Sequence, residues 1–251
     1  MDKELLIIMP AYNEEKNIGA FLRSLRDAGI FNIADVLVIN DGSSDNTSAE
    51  AKENGAEIIT LIYNLGYGCA LQTGYKYAVR EGYKYLIQMD GDGQHDVCNI
   101  KTIFQALSDP VDAPDIVIGS RFLKNSKSFP VSTAKKIATN FFRAFIWFST
   151  RHEILDTTSG LQGISRAAFL YCSYYNNFVS DFPDANMIIQ MLLNNFKVEE
   201  VPAVMHEREA GESMHSGLKP ILYLFKMVVN TVIVIVREKI NSRKKINLKI
   251  H

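Results

Sequence analysis

Cysteine is scarce in this chain of 251 residues: Cys69, Cys98 and Cys172 are all there is. They lie far apart and are odd in number. Neither a disulfide framework nor a cysteine metal motif is expected, and a reducing cytosol is the expected setting. Charge of one sign is also lacking. A net charge of −1 excludes general nucleic-acid binding, which needs a basic excess. No apolar run reaches the roughly 20 residues of a bilayer-spanning helix, because residues 221–236 are interrupted by Lys226, Asn230 and Thr231. Asp2-Lys3-Glu4 leads straight into a short apolar run, so no signal peptide is expected.

What remains is ordinary globular material, 47% apolar and 22% charged, enough for one large domain or a domain with a tail. Leu5 to Met9 reads as a buried strand ended by Pro10, and Ile18, Phe21, Leu22 and Leu25 then recur at helical spacing. Asn13 is the expected cap of that helix, with Glu14 and Glu15 in its first turn. Val36 to Ile39 is the next strand, followed by a helix capped by Ser44 or Asp45 that Gly55 ends. Ala56 to Ile62 reads as a third strand, and Gly66-Tyr67-Gly68 opens a helix. Alternation of this kind predicts a mostly parallel sheet covered by helices on both faces, with ligands at the carboxyl ends of the strands.

The stretch Tyr85-Leu86-Ile87-Gln88-Met89-Asp90-Gly91-Asp92-Gly93-Gln94-His95 is a strand that breaks into glycine and acid. Asp90 and Asp92 at a strand end can face one hard cation, with Gln94 adding a neutral oxygen. Asp-Gly-Asp alone also fits a solvated turn. Two more polar loops, Pro10–Glu14 and Asp41–Asp45, fall on the same sheet edge, however, and together the three read as a nucleotide site. Asp41 can accept from a ribose hydroxyl or a base N–H. Backbone N–H groups near Gly66–Gly68 favour an anion, although a simple helix-entry turn explains them equally well.

Met9-Pro10-Ala11-Tyr12-Asn13-Glu14-Glu15, Asn40-Asp41-Gly42-Ser43-Ser44-Asp45 and Met89-Asp90-Gly91-Asp92-Gly93-Gln94-His95 resemble the signature loops of inverting family-two glycosyltransferases. The nearest subgroup resembles dolichol- or polyprenyl-phosphate sugar transferases and bacterial cell-surface polysaccharide transferases. The resemblance implies a glycosyltransferase A-type fold, a nucleotide-diphosphate sugar donor (a UDP-sugar favoured) and Mg²⁺ or Mn²⁺. It places Pro10, Tyr12, Glu14, Asp41 and Gly68 at the nucleotide, and Asp90, Asp92 and Gln94 at metal and diphosphate. Arg121, after the strand Ile116–Gly119, matches the family's Gly-Ser-Arg and is expected at phosphate, with a surface ion pair as the alternative. Asp156-Thr157-Thr158-Ser159-Gly160 resembles the acid-then-Ser-Gly segment near the reaction centre. Asp184 is the candidate general base, with Asp181 behind it, although acids before a helix also suit its N-terminus. Arg208 and Ser213 resemble the Arg-x-x-Gly-x-Ser loop that closes over the donor diphosphate. A Lys often follows that Ser in the polyprenyl-phosphate enzymes, whereas Met214 stands here.

Lys135 to Thr150 reads as a helix with an aromatic stripe, and Val198 to Val204 as an edge strand. The chain divides into a catalytic domain, 1–216, and an apolar amphipathic helix with a basic tail, 217–251. The tail carries Arg237, Lys239, Arg243, Lys244, Lys245 and Lys249 and reads as a membrane-interfacial anchor or an oligomer contact. The expected activity is metal-dependent inverting transfer of a sugar from a nucleotide sugar to a lipid-linked acceptor in cell-surface glycan synthesis, at the cytoplasmic face of a bacterial membrane. A polyprenyl phosphate is the alternative acceptor. Two rival readings are a sugar-phosphate nucleotidylyltransferase and a catalytically inactive nucleotide-sugar-binding subunit. The first would carry a glycine-rich N-terminal loop with Arg and Lys in place of Pro-Ala-Tyr-Asn-Glu, and the second conflicts with intact Asp90, Asp92 and Arg208.

Overall fold

The computed structural model describes residues 3–128, 133–178, 180, 183–207 and 228–238. The strands are β1 (Leu5–Ala11), β2 (Ala34–Asn40), β3 (Glu57–Thr60), β4 (Tyr85–Gln88), β5 (Ile116–Ser120), β6 (Gln162–Ser165) and β7 (Val198–Pro202). The helices are α1 (Ile18–Asp27), α2 (Thr47–Glu53), α3 (Tyr67–Glu81), α4 (Cys98–Leu107), α5 (Thr133–Thr150), α6 (Arg166–Ser173) and α7 (Pro183–Leu193), followed by α8 (228–238).

The strands form one sheet in the order β3-β2-β1-β4-β6-β5-β7. β6 runs antiparallel to β4 and β5, and the remaining pairs are parallel. All seven residues of β1 are buried, as a central strand covered on both faces requires. Its side chains alternate between two cores. Leu6 and Ile8 join Leu37, Ile39, Leu71, Tyr75 and Phe169 on one face, while Leu5, Ile7 and Met9 join Val36, Val38, Leu22, Leu25 and Ile103 on the other. The chain runs outward from β1 to β2 and β3, then returns past β1 to β4. That reversal opens a crevice at the carboxyl ends of β1 and β4, where an open α/β sheet receives ligands.

Local details depart from the sequence reading. The third strand stops at Thr60, and Ile62, Tyr63 and Leu65 are exposed. Leu61 N–H still bonds the Asn40 carbonyl, but the chain then turns to approach Asp41. Asn13 does not cap α1, which starts at Ile18 after Asn17. Asn13 adopts a φ of +55°, and its side-chain oxygen accepts from Ser44 N–H at 3.0 Å. Long-range pairing between two loops thus replaces the local cap. Ser165 caps α6, accepting from Ala168 N–H.

The aromatic stripe of α5 divides: Phe142 and Ile146 are buried, whereas Phe141, Trp147 and Phe148 are exposed. α8 packs on α7 through a buried polar seam. Thr231 donates to Asn186 at 2.8 Å, Gln190 and Asn194 donate to the buried carboxylate of Glu238, and Val234 enters the core. The opposite stripe of Val229, Val232, Ile233 and Val236 is exposed. Among the described residues no helix is long and apolar enough to cross a membrane.

Candidate active site

The first two polar loops are laced together over the ends of β1 and β2. Asn13 N–H donates to Ser43 Oγ at 3.0 Å, Glu14 N–H to Thr47 Oγ1 at 2.8 Å and Glu15 N–H to Asp45 at 3.2 Å. Asn46 N–H in turn donates to Glu15 at 3.1 Å. Backbone donors that would otherwise point to solvent are therefore satisfied by side chains from the neighbouring loop, and the two loops brace each other at the rim of the crevice. Pro10 is buried in β1, Glu14 accepts from the Asn17 amide at 2.6 Å, and Tyr12 stands open to solvent with 48% exposure.

Asp41 is buried and already employed. Its two carboxylate oxygens each accept one backbone N–H, from Leu65 and Gly66, both at 2.8 Å. Gly66 takes a φ of +93°, which a glycine adopts without penalty, and α3 begins at the next residue, Tyr67. Asp41 thus fixes the start of α3, and a nucleotide would have to share its remaining lone pairs. Gly68 is packed against protein: a Cβ there would lie 2.1 Å from the Ser180 carbonyl. That contact brings Ser180 against the same helix end.

Asp90 and Asp92 follow β4 on the same edge. Asp92 Oδ1 accepts from Gln94 N–H at 3.0 Å, closing a tight turn in which Gly93 has a φ of +77°. The Asp90 carboxylate is part-exposed, with buried His95 Nε2 at 3.7 Å. Burial pushes the Asp90 pKa up, but His95, the Tyr67 hydroxyl and the nearby charge of Arg121 outweigh it and hold the carboxyl below its usual range. Asp90 is therefore ionised at neutral pH. Gly160 lies against it, since a Cβ there would sit 2.7 Å from Asp90 Oδ2 and 3.2 Å from the Tyr67 hydroxyl.

Arg121 is held by a partner the sequence reading did not give it. Its Nε and Nη2 donate to Asp156 at 2.7 and 2.6 Å, its backbone N–H to the same carboxylate at 2.9 Å, and Nη2 also to Thr158. Asp156 is fully buried, and its own N–H donates to Glu200 at 2.8 Å. The guanidinium expected at phosphate is thus committed to a buried ion pair, from which its charge still reaches Asp90.

The acidic loop is also zipped to the chain beyond β7. Asn99 exchanges two hydrogen bonds with Val204 at 2.8 Å, His206 N–H donates to the Gln94 carbonyl at 2.8 Å, and the His206 ring meets Asp96 at 2.8 Å. The segment that continues to Arg208 therefore departs from the Gln94 turn. Arg208, Ser213, Met214 and Asp181 lie outside the described residues. Asp184 is the second residue of α7, and its side chain also lies outside them.

The donor set consists of hard oxygens: two carboxylates and an amide. Among the described residues no group of three or more His, Cys, Asp or Glu could hold a metal ion. A cation at Asp90, Asp92 and Gln94 would take its remaining ligands from water and a bound diphosphate, the usual arrangement for Mg²⁺. The residues present fit such an ion. Sequence reasoning missed Tyr67, His95 and the role of Asp156. Tyr67 was read only as part of the Gly-Tyr-Gly that opens a helix, and nothing local links residues 121 and 156.

The sequence pattern of Glycosyl transferase family 2 matches residues 6–171. An uncharacterised protein of Methanocaldococcus jannaschii is 30% identical over 236 residues, covering 91% of this chain and 93% of that one. UDP-N-acetylglucosamine–dolichyl-phosphate N-acetylglucosaminyltransferase of Methanococcus voltae is 32% identical, with 66% of this chain and 71% of that one covered. Undecaprenyl-phosphate mannosyltransferase of Micrococcus luteus is 29% identical, with 85% and 88% covered. Among solved structures, glucosyl-3-phosphoglycerate synthase of Mycobacterium tuberculosis with Mn²⁺, UDP and phosphoglyceric acid superimposes with a TM-score of 0.69 at 16% identity, over 93% of this chain and 78% of that one. That likeness gives the glycosyltransferase A-type fold.

Proposed function

The chain belongs to glycosyl transferase family 2 and is a glycosyltransferase, and from that premise we propose that it moves a sugar from a nucleotide-diphosphate sugar, a UDP-sugar favoured, to a polyprenyl phosphate at a membrane surface, with inversion. The observation that carries the reading is the convergence of Asp90, Asp92 and the laced loops Ala11–Asn17 and Asp41–Thr47 on one crevice, at the switch point between β1 and β4. The relatives named for dolichyl- and undecaprenyl-phosphate transfer support the polyprenyl phosphate over a lipid-linked glycan hydroxyl, despite Met214. A role in supplying cell-surface glycans fits the same chemistry.

In the proposed reaction the acceptor oxygen bonds to the anomeric carbon as the bond to the diphosphate oxygen breaks, and nucleoside diphosphate leaves. A phosphate acceptor is already anionic, so Asp184 need not remove a proton; a sugar hydroxyl would require it. Asp90, Asp92 and Gln94 would hold Mg²⁺ or Mn²⁺, which supplies positive charge against the departing diphosphate. Asp41 and Tyr12 would bind the nucleoside, and Arg208 and Ser213 would close on the diphosphate from outside the crevice.

Residues 1–216 would form the catalytic unit and 217–251 the membrane-facing one. Supporting this, α8 turns an aliphatic stripe outward, and residues 239–251 carry Lys239, Arg243, Lys244, Lys245 and Lys249 with no acid, a pairing suited to an anionic lipid surface. An oligomer contact is the competing role. The test uses anionic vesicles containing undecaprenyl phosphate, Mn²⁺ and radiolabelled UDP-glucose, UDP-N-acetylglucosamine or GDP-mannose. The protein is expected to float with the vesicles, and label from one donor to pass into the lipid fraction. Flotation without labelled lipid from any donor would refute the acceptor assignment, and labelled lipid without flotation would refute the membrane role of α8.

A further inference from the structure

Tyr67 is the first residue of α3, and its hydroxyl lies at the bottom of the crevice beside Asp90. The position a Gly160 Cβ would occupy is 2.7 Å from Asp90 Oδ2, 3.2 Å from Oδ1 and 3.2 Å from the Tyr67 hydroxyl. The two groups therefore crowd the same point, and only glycine leaves room for them. The placement of Tyr67 is fixed from behind by Asp41, whose carboxylate takes the N–H groups of Leu65 and Gly66, the two residues before it. On the other side of Asp90 stands the buried His95 ring, with Nε2 at 3.7 Å.

Resting on the function proposed above, we propose that Tyr67 is a positioning residue that fixes the Asp90 carboxylate for the metal-bound donor, and that the start of α3 mechanically links Asp41 to Asp90. A hydroxyl at that place can donate to the charged carboxylate once the cation and the diphosphate draw it in, and such a bond would restrain the carboxylate's rotamers. Asp41 would then act in two ways, binding the nucleoside with its free lone pairs and holding the turn that places Tyr67. Nucleoside binding and cation binding would favour each other through this turn.

The test compares wild type with Tyr67→Phe, which removes one oxygen atom and leaves the ring packing. The readout is the MnCl₂ concentration giving half of the UDP-induced rise in melting temperature, with GDP run in parallel, alongside kcat/KM. Tyr67→Phe is expected to raise that Mn²⁺ concentration about 10-fold and lower kcat/KM about as much, as loss of one hydrogen bond to a charged group implies. The melting temperature without ligand should hold. Gly160→Ala, which intrudes on the same two groups from the other side, should move the Mn²⁺ requirement in the same direction. A merely structural role would lower the ligand-free melting temperature and leave the Mn²⁺ requirement alone, and that result overturns the proposal. If wild type itself shows no Mn²⁺-dependent stabilisation by any nucleotide, the functional reading fails and this inference with it. If wild type responds and Tyr67→Phe responds identically, this inference alone fails.

Discussion

Asp92→Asn is expected to lower kcat/KM for sugar transfer by about 10²- to 10³-fold, the range seen when one preorganised charge-stabilising group is removed. Asp92 is half-buried at the crevice, and within the described fold its Oδ1 accepts from Gln94 N–H at 3.0 Å. The asparagine keeps that acceptor and so keeps the turn. What it loses is a full negative charge where a divalent ion must be held against the diphosphate. The melting temperature without ligand should therefore change by no more than about 2 °C, well under the effect of a core substitution. Initial rates across donor concentrations, with a thermal melt of the same preparation, check both halves. A variant within threefold of wild type would remove Asp92 from the chemistry.

Asp156→Ala acts on the other side of the ledger between stability and activity. It leaves Arg121, a residue only 9% exposed, without the carboxylate that takes its Nε, Nη2 and backbone N–H. Breaking a buried pair by removing one partner costs about 3–5 kcal/mol, and in a domain of this size each kcal/mol is worth about 2–4 °C. A fall of about 10 °C in melting temperature is expected. Removing the pair as a whole, as Arg121→Met with Asp156→Leu, should restore much of that loss, because a paired apolar replacement leaves no buried charge. If Asp156→Ala melts with wild type, the ion pair is not a structural keystone, and Arg121 is free to serve phosphate as its position after β5 suggested.

The contrast between these two acids shows what the sequence could reveal. Asp90 and Asp92 were legible because a strand that ends in Gly and Asp announces its own carboxyl edge, and the edge of a parallel sheet is where ligands sit. The alternation of apolar runs gave β1, β2 and β4 in order for the same reason. Asp156 was not legible as the partner of Arg121, because the two meet only after β6 returns antiparallel between β4 and β5, a pairing without local signal. Asn13 misled for a related reason: a cap is a local inference, and here the loop after β2 captured the side chain first. Tyr67 was hidden because nothing in its local sequence places it beside residue 90; the two come together only through the sheet edge and Gly160. The C-terminal helix was legible as amphipathic. Which stripe faces inward was settled by Asn186 and Gln190 on α7 and Asn194 just after it, polar partners that nothing local to the C-terminal helix announces.

The claim on which everything else stands is that the edge of β1, β2 and β4 binds a nucleoside diphosphate together with a divalent cation. Its most direct test is the melting temperature with UDP, GDP, dTDP and CDP, each with and without Mn²⁺, since a ligand that binds only the folded state raises it by linkage. One nucleotide is predicted to stabilise the protein in a Mn²⁺-dependent way, and Asp92→Asn to abolish that effect. No stabilisation by any of the four, with or without the metal, would contradict the site.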